Sequence, residues 1–391
     1  MSFEKGIEYF ENDDYNNAIT EFNQVIQQNP NHALAYAYRA RSYNSIKNYD
    51  QGLKDSNIAI SLDPNNAMGY FARGRTYAFL DEQNKAIMDY DKSIQLDPNN
   101  AHVYKYRGFL YSLNRDNDRA IENYDQAIRL DPKDAQVFYW RAFAYLFGRG
   151  NIDQAIADGT QAIMNDPKYG DAYWIRGKAY KNKGDYDRAI ADYTQAIIIN
   201  PKDILAYIQR GDIYKDKGDN DSAMKDYNMG LQIDPNCYNG YIGRAWLYFD
   251  LNDLDRAIDD FTCAEKINPD FESVYEGRSL VYKKKGDHDR AIADYDQLIR
   301  LNPNNYGAYQ KRGYAYDRKG NFNQAIIDLT QSIKLDPNPT SMSYSNRGYI
   351  YMKKGDFNSA ISDFRESIRL DPNNNDAKQW LEDALKARSG G

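Results

Sequence analysis

Chemistry-bearing side chains are sparse in this chain and do not converge. His32, His102 and His288 are its three histidines. None is placed beside a candidate nucleophile or a second ligand, so neither acid–base nor nucleophilic catalysis acquires a constellation. Cys237 and Cys263 have no metal-ligand spacing and cannot build a disulfide framework; they point to a reducing compartment. Neighbouring carboxylates, as in I-D-D-F at 258–261 and D-Y-D at 294–296, recur at a fixed period, which assigns them to helix capping and architecture ahead of proton transfer. No glycine loop of the phosphate-cradling or dinucleotide-binding kind is present. The expectation is a protein with no catalytic, cofactor-binding or metal-binding residues and no cofactor: not an enzyme.

What recurs is a scaffold. Prolines at 30, 64, 98, 132, 167, 201, 235, 269, 303, 337 and 372 stand 34 residues apart except for two steps of 35, and self-similarity at such a period marks stacked supersecondary units. With each proline placed at position 32 of its unit, position 11 is tyrosine in all eleven units, from Tyr9 to Tyr351. Position 8 is small, as in Gly6, Ala40, Gly74 and Gly108; position 20 is alanine in ten units, with Gly52 the exception; position 24 is usually aromatic, as in Phe22, Tyr90, Tyr193 and Phe364. Positions 4, 8 and 11 share one face of a first helix, A, and positions 20, 24 and 27 one face of a second, B. Turns such as K-N-K-G-D at 181–185 supply Gly184 to end helix A and Asp185 to start helix B. The proline of L-D-P-N then closes helix B.

This pattern, with an R-G-x-x-Y motif in helix A, resembles the tetratricopeptide repeat (TPR), a helix-turn-helix unit, over nearly the whole chain. The resemblance implies an all-α fold: a right-handed α-solenoid (superhelix) of about eleven units plus a C-terminal capping helix. The expected units are 1–32, 33–66, 67–100, 101–134, 135–169, 170–203, 204–237, 238–271, 272–305, 306–340 and 341–374. Over 375–391, Ala377, Trp380, Leu381, Ala384 and Leu385 keep helical spacing and are expected to form a capping helix and tail that shield the last repeat.

Position 7 is arginine in ten successive units, from Arg39 to Arg347, and position 23 is aspartate in nine, including Asp89, Asp192, Asp294 and Asp363. A guanidinium ladder could face an anionic ligand. Position 7 flanks the core face, however, where a charge needs a partner, so pairing of Arg with Asp is the preferred expectation.

In TPR proteins helix A lines a concave inner surface with positions 2, 5, 9 and 12. Carried onto this chain, that stripe holds Phe71 and Arg75, then Lys105 and Phe109, then Tyr139 and Phe143, then Trp174 and Lys178. A second apolar group holds Ile242, Trp246 and Phe249, with Leu280, Tyr314 and Tyr349 beyond. Contiguous apolar area in a groove suits a peptide or helix ligand. The alternative is that the extra residue near Gly148 to Gly150 bends the stack and buries Trp140 and Phe147 against adjacent helices. The clamp with which chaperone-binding members grip a carboxylate is not matched by three successive repeats, which argues against Hsp70 or Hsp90 C-terminal tails as partners.

Charge and hydropathy bound the rest. With 50 basic and 57 acidic residues the net charge is −7, which gives no broad support for DNA or an anionic membrane. The acidic start, already within the first repeat, and the lack of any apolar run of membrane length suggest a cytoplasmic protein. The expected function is a non-enzymatic scaffold that binds a protein or peptide segment in its concave groove. The alternatives are an RNA-binding solenoid using lysine-rich A–B turns, as in K-K-K-G-D at 283–287, and a targeting subunit for a separate enzyme. A second copy of the chain, giving a homo-oligomer, is a further possible occupant.

Overall fold

Every turn from helix A to helix B is closed by one residue in the left-handed backbone region. In six repeats that residue is Gly150, Gly184, Gly218, Gly286, Gly320 or Gly355, with φ between 65° and 88°. In five others it is Asp13, Lys47, Asp81, Arg115 or Asn252, with φ between 59° and 62°, a conformation that side chains other than glycine pay for in strain. The next residue caps helix B: the carboxylates of Asp116, Asp185 and Asp253 each accept the backbone N–H three residues on. Glu82, one methylene too long, makes no such bond.

The computed structural model describes residues 3–389; the first two residues of the expected first repeat and the last two of the expected tail lie outside. The chain divides into two compact units, Met1–Pro201 and Lys202–Gly391. The first contains α1 (Phe3–Glu11), α2 (Tyr15–Gln28), α3 (Ala33–Ser45), α4 (Tyr49–Leu62), α5 (Ala67–Phe79), α6 (Gln83–Leu96), α7 (Ala101–Leu113), α8 (Asn117–Leu130), α9 (Ala135–Phe143), α10 (Ile152–Asn165), α11 (Gly170–Lys183) and α12 (Tyr186–Ile199). The second contains α13 (Ile204–Asp216), α14 (Asn220–Ile233), α15 (Tyr238–Asp250), α16 (Leu254–Ile267), α17 (Glu272–Lys285), α18 (His288–Leu301), α19 (Tyr306–Arg318), α20 (Phe322–Leu335), α21 (Ser341–Lys354), α22 (Phe357–Leu370) and α23 (Asn375–Ser389). No strand occurs among the described residues. Within each unit the helices pair consecutively, as an all-α solenoid requires.

Packing follows the volumes at positions 8 and 24. Gly108 faces the buried ring of Tyr124, and a Cβ on Gly108 would stand 2.8 Å from it. At Ala40 and Ala142 position 24 shrinks to Ser56 and Gly159, whereas Ala245 keeps the buried Phe261, whose ring is instead accommodated by Gly277 of the next repeat. The helix pairs therefore reach the same close approach with different residues.

The arginine ladder pairs as expected. Arg73 donates to both carboxylate oxygens of Asp89 at 2.8 Å, and the fork recurs at Arg39–Asp55, Arg176–Asp192, Arg210–Asp226, Arg244–Asp260, Arg312–Asp328 and Arg347–Asp363. A third N–H usually reaches the preceding repeat, as in Arg39 to Asn23 at 2.6 Å and Arg312 to Asp296 at 2.6 Å. One guanidinium thus ties three helices. In the first repeat the positions carry Lys5 and Glu21, 2.9 Å apart, and Glu21 Oε2 is left buried without a partner.

The extra residue of the fifth repeat is absorbed into a π-helical turn, Ala144–Arg149, with Gly150 left-handed behind it. The turn keeps Trp140 packed on Phe109, Tyr106 and Tyr124. Phe147 does not pack inward as the bending alternative requires: it is 49% exposed, because the wider turn aims it outward. At the C-terminus, α23 lays Trp380, Leu381 and Leu385 on Ile361 and Phe364 of α22.

Candidate functional site

Burial separates residues that can meet a ligand from those that cannot. In the first unit Phe71 is only 2% exposed, sunk among Tyr90, Tyr106 and the Arg41 guanidinium. It can offer at most an edge to a neighbouring cavity. Lys105 is 7% exposed and its Nζ is held 2.6 Å from Asp134, the capping residue of α9. It is a structural ion pair and no free cation. Phe109 is half-buried against Trp140, ring centroids 4.8 Å apart.

Tyr139 packs edge-on against Tyr169 at 5.5 Å, and burial pushes its hydroxyl pKa up to about 12. Trp174 is half-buried in the same cluster, its indole N–H shielded and without an acceptor. Lys178 is half-buried. Phe143, by contrast, is 40% exposed and its ring lies 4.5 Å from that of Phe147. Sequence position placed all of these on one stripe, but Tyr106 and Trp140 of the following repeats cover Phe71 and Phe109, and Tyr169 covers Tyr139.

Arg75 has the most unusual setting in the first unit. Its guanidinium carbon lies 3.4 Å from the Tyr106 ring centroid and 5.0 Å from that of Phe79, and its shielded Nη1 has no hydrogen-bond partner. It lines a cavity of about 270 Å³ together with Phe71 and Arg41. Arg41 occupies position 9 of the second repeat, as Arg75 does in the third; applying the stripe one repeat earlier would have found it.

In the second unit Ile242, Trp246 and Phe249 are partly buried on Phe261, with Trp246 5.6 Å from that ring and 5.7 Å from Phe249. Tyr349 is 37% exposed but leans on Trp380 of α23, 4.9 Å away. Leu280 and Tyr314 are brought together at a cavity of about 650 Å³ between α17, α18 and α19, whose inner surface includes Tyr295 and Ala291. Its rim carries Lys283, Lys284, Lys311 and Arg318. None of these four cations is paired with a carboxylate among the described residues, and Lys284 lies 4.6 Å from the Phe249 ring centroid. Asn346 donates to the Tyr314 hydroxyl at 2.7 Å, and burial raises the Tyr314 pKa.

The lysine-rich turns are otherwise largely neutralised. Lys183 pairs with Asp153 at 2.7 Å, and Lys285, Lys319 and Lys353 pair with Asp255, Asp289 and Asp317. A basic ridge read from sequence is in good part a row of ion pairs between repeats.

Family comparison accounts for this architecture. Models described as tetratricopeptide repeat match residues 3–67, 69–100, 89–122, 204–237, 238–271, 306–339 and 341–374, and a TPR repeat model matches 116–146, 177–218 and 280–320. The chain belongs to the tetratricopeptide repeat family. No curated protein matches it. Among solved structures, the TPR chain is similar to a tetratricopeptide repeat protein from Parabacteroides merdae, at 21% identity over 64% of this chain and 99% of that one, with a TM-score of 0.44. Yeast Tom70 is 19% identical over 99% of this chain and 95% of its own, TM-score 0.44. MamA is 27% identical over 41% of this chain and 93% of its own, TM-score 0.38. TPR repeats build protein-interaction scaffolds, and that is the general role of this one. No helix among the described residues is long and apolar enough to cross a membrane.

Proposed function

We propose that this TPR protein is a non-enzymatic scaffold whose second unit grips an acidic peptide segment carrying a bulky apolar side chain. One observation carries the reading: the cavity at Leu280 and Tyr314 combines an apolar interior with four cations at its rim that have no carboxylate partner, in a chain of net charge −7. An apolar anchor would enter between Leu280, Tyr295 and Tyr314, and acidic neighbours would meet Lys283, Lys284, Lys311 and Arg318. The exposed Phe143–Phe147 pair of the first unit is a secondary apolar contact.

Selection of displayed random peptides on the immobilised full chain tests the reading. Enrichment of sequences that place Leu, Phe or Met beside Asp or Glu, abolished by Leu280→Asp, supports it. Enrichment that ignores charge, or that survives Leu280→Asp, removes the cavity as the site. RNA is less well served, because the inter-repeat pairs Lys285–Asp255 and Lys319–Asp289 consume the turn lysines.

A further inference from the structure

Ten arginines at position 7 are bonded to aspartate or asparagine. Arg41 and Arg75, two residues further along helix A, are treated differently: neither has a carboxylate partner among the described residues. The Arg41 guanidinium sits among the rings of Phe10, Tyr38 and Phe71, at 4.4, 5.3 and 5.3 Å, and its one polar contact is Nη1 to the Met68 sulfur at 3.6 Å. Arg75 is stacked on Tyr106 and keeps a shielded N–H without an acceptor. Both line the same cavity of about 270 Å³. The other lining residues, Phe10, Tyr15, Asn44, Ser45, Phe71, His102 and Tyr106, include no acid.

Two cations from successive repeats facing one small cavity repel each other and are poorly hydrated, an arrangement that costs stability unless something anionic completes it. Burial, above all, lowers the Arg41 pKa, and the Arg75 charge adds to that effect. Asn44 cannot supply the missing acceptor, since its amide is engaged with the Ala72 carbonyl and the Thr76 hydroxyl. We infer that the Arg41–Arg75 cavity is a binding pocket for a doubly charged oxyanion of the phosphoryl type. Two guanidinium groups match two negative charges, and their planar N–H edges match phosphoryl oxygens. A phosphodiester, with one charge per group, would leave one arginine uncompensated. The cavity admits a phosphoryl group and is too small for a folded segment. The free monoester or inorganic ion and a phosphorylated side chain present the same chemistry here. This pocket lies in the first unit and does not depend on the peptide reading of the second.

Isothermal titration of the full chain with inorganic phosphate at constant ionic strength tests the assignment, with malonate as a flexible dicarboxylate and chloride as a monoanion. Saturable phosphate binding is expected, weakened about tenfold or more by Arg41→Leu and by Arg75→Leu and unchanged by the remote Lys92→Glu. Neither leucine variant should melt below wild type in the absence of phosphate, because each removes a poorly compensated charge. Binding that survives both leucine substitutions, or malonate binding better than phosphate, overturns the assignment. So does a lower melting temperature in both variants without any phosphate affinity in wild type, since the arginines would then serve packing alone. A phosphoserine peptide binding more tightly than phosphate identifies a modified side chain as the source; equal binding identifies the free ion. Either supports the pocket.

Discussion

Arg141 grips Asp158 through two parallel N–H···O bonds of 2.8 and 2.7 Å across seventeen residues of chain, where the corresponding pair in the next repeat, Arg176 and Asp192, is separated by sixteen. The inserted residue between them is taken up by the π-helical turn Ala144–Arg149, so the fork survives the insertion unchanged. Preserving this bond, and with it the tie from Arg141 to Asp125 of the preceding repeat at 2.6 Å, outweighs preserving regular helix.

Removing one member of the pair should therefore cost more than removing both. Arg141→Met strands Asp158 and is expected to lower stability by roughly 3 to 5 kcal/mol, whereas Arg141→Met with Asp158→Leu should recover most of that loss. Urea denaturation followed by circular dichroism measures both; equal losses would mean that the two charges are already well hydrated.

The left-handed residues at the A–B turns give a stabilising prediction. Lys47 and Arg115 adopt φ of 62° and 61°, where six other repeats use glycine. Lys47→Gly and Arg115→Gly should each add about 0.5 to 1 kcal/mol, strain relief exceeding the extra chain entropy of glycine. Thermal melts of the single and double variants check this, and a lowered melting temperature would contradict it.

Packing at position 8 predicts non-additivity. Gly108→Ala presses a methyl group into the Tyr124 ring and should cost roughly 1 to 3 kcal/mol. In a Tyr124→Leu background the same change should cost clearly less, because the smaller side chain can yield. Equal costs in the two backgrounds would show that the helices separate rather than clash.

Much of this architecture was legible in one sequence, for a physical reason. A helix pair repeated eleven times must solve the same local problem eleven times, so Pro at 32, Tyr at 11 and Arg opposite Asp reveal themselves by recurrence. The candidate site was less legible because a position number does not say what the next repeat lays over it. Phe71 and Lys105 share position 5 with exposed groove residues of the family, yet Tyr106 and Asp134 cover them. Arg41 holds the same position in its repeat as Arg75 in the next, but a lone arginine carries no apolar signal that would set it on a groove. The step of 35 residues signalled an insertion without saying that it would enter the helix.

The caps of helix B set a pH dependence. Asp116 and Asp185 are held below the ordinary aspartate range chiefly by the side chains of Arg119 and Arg188, and Asp253 chiefly by the backbone N–H of Arg256. A carboxyl whose folded pKa is depressed contributes stability above its unfolded pKa of about 3.9 and loses it as pH falls through the folded value. The melting temperature should thus hold down to about pH 5 and then fall, and Asp116→Asn should flatten part of that fall. An identical acid limb in the variant would remove Asp116 from the account.

An apolar anchor flanked by acidic residues, seated in the Leu280–Tyr314 cavity, would respond to reversal of the rim charges. Fluorescence anisotropy of a labelled peptide from the display selection, titrated with wild type and with Lys284→Glu/Lys311→Glu, tests it most directly when paired with a charge-swapped peptide. The double variant is expected to lose the acidic peptide and gain the basic one, with both affinities weakening as salt rises. Undiminished binding of the acidic peptide by the double variant would contradict it.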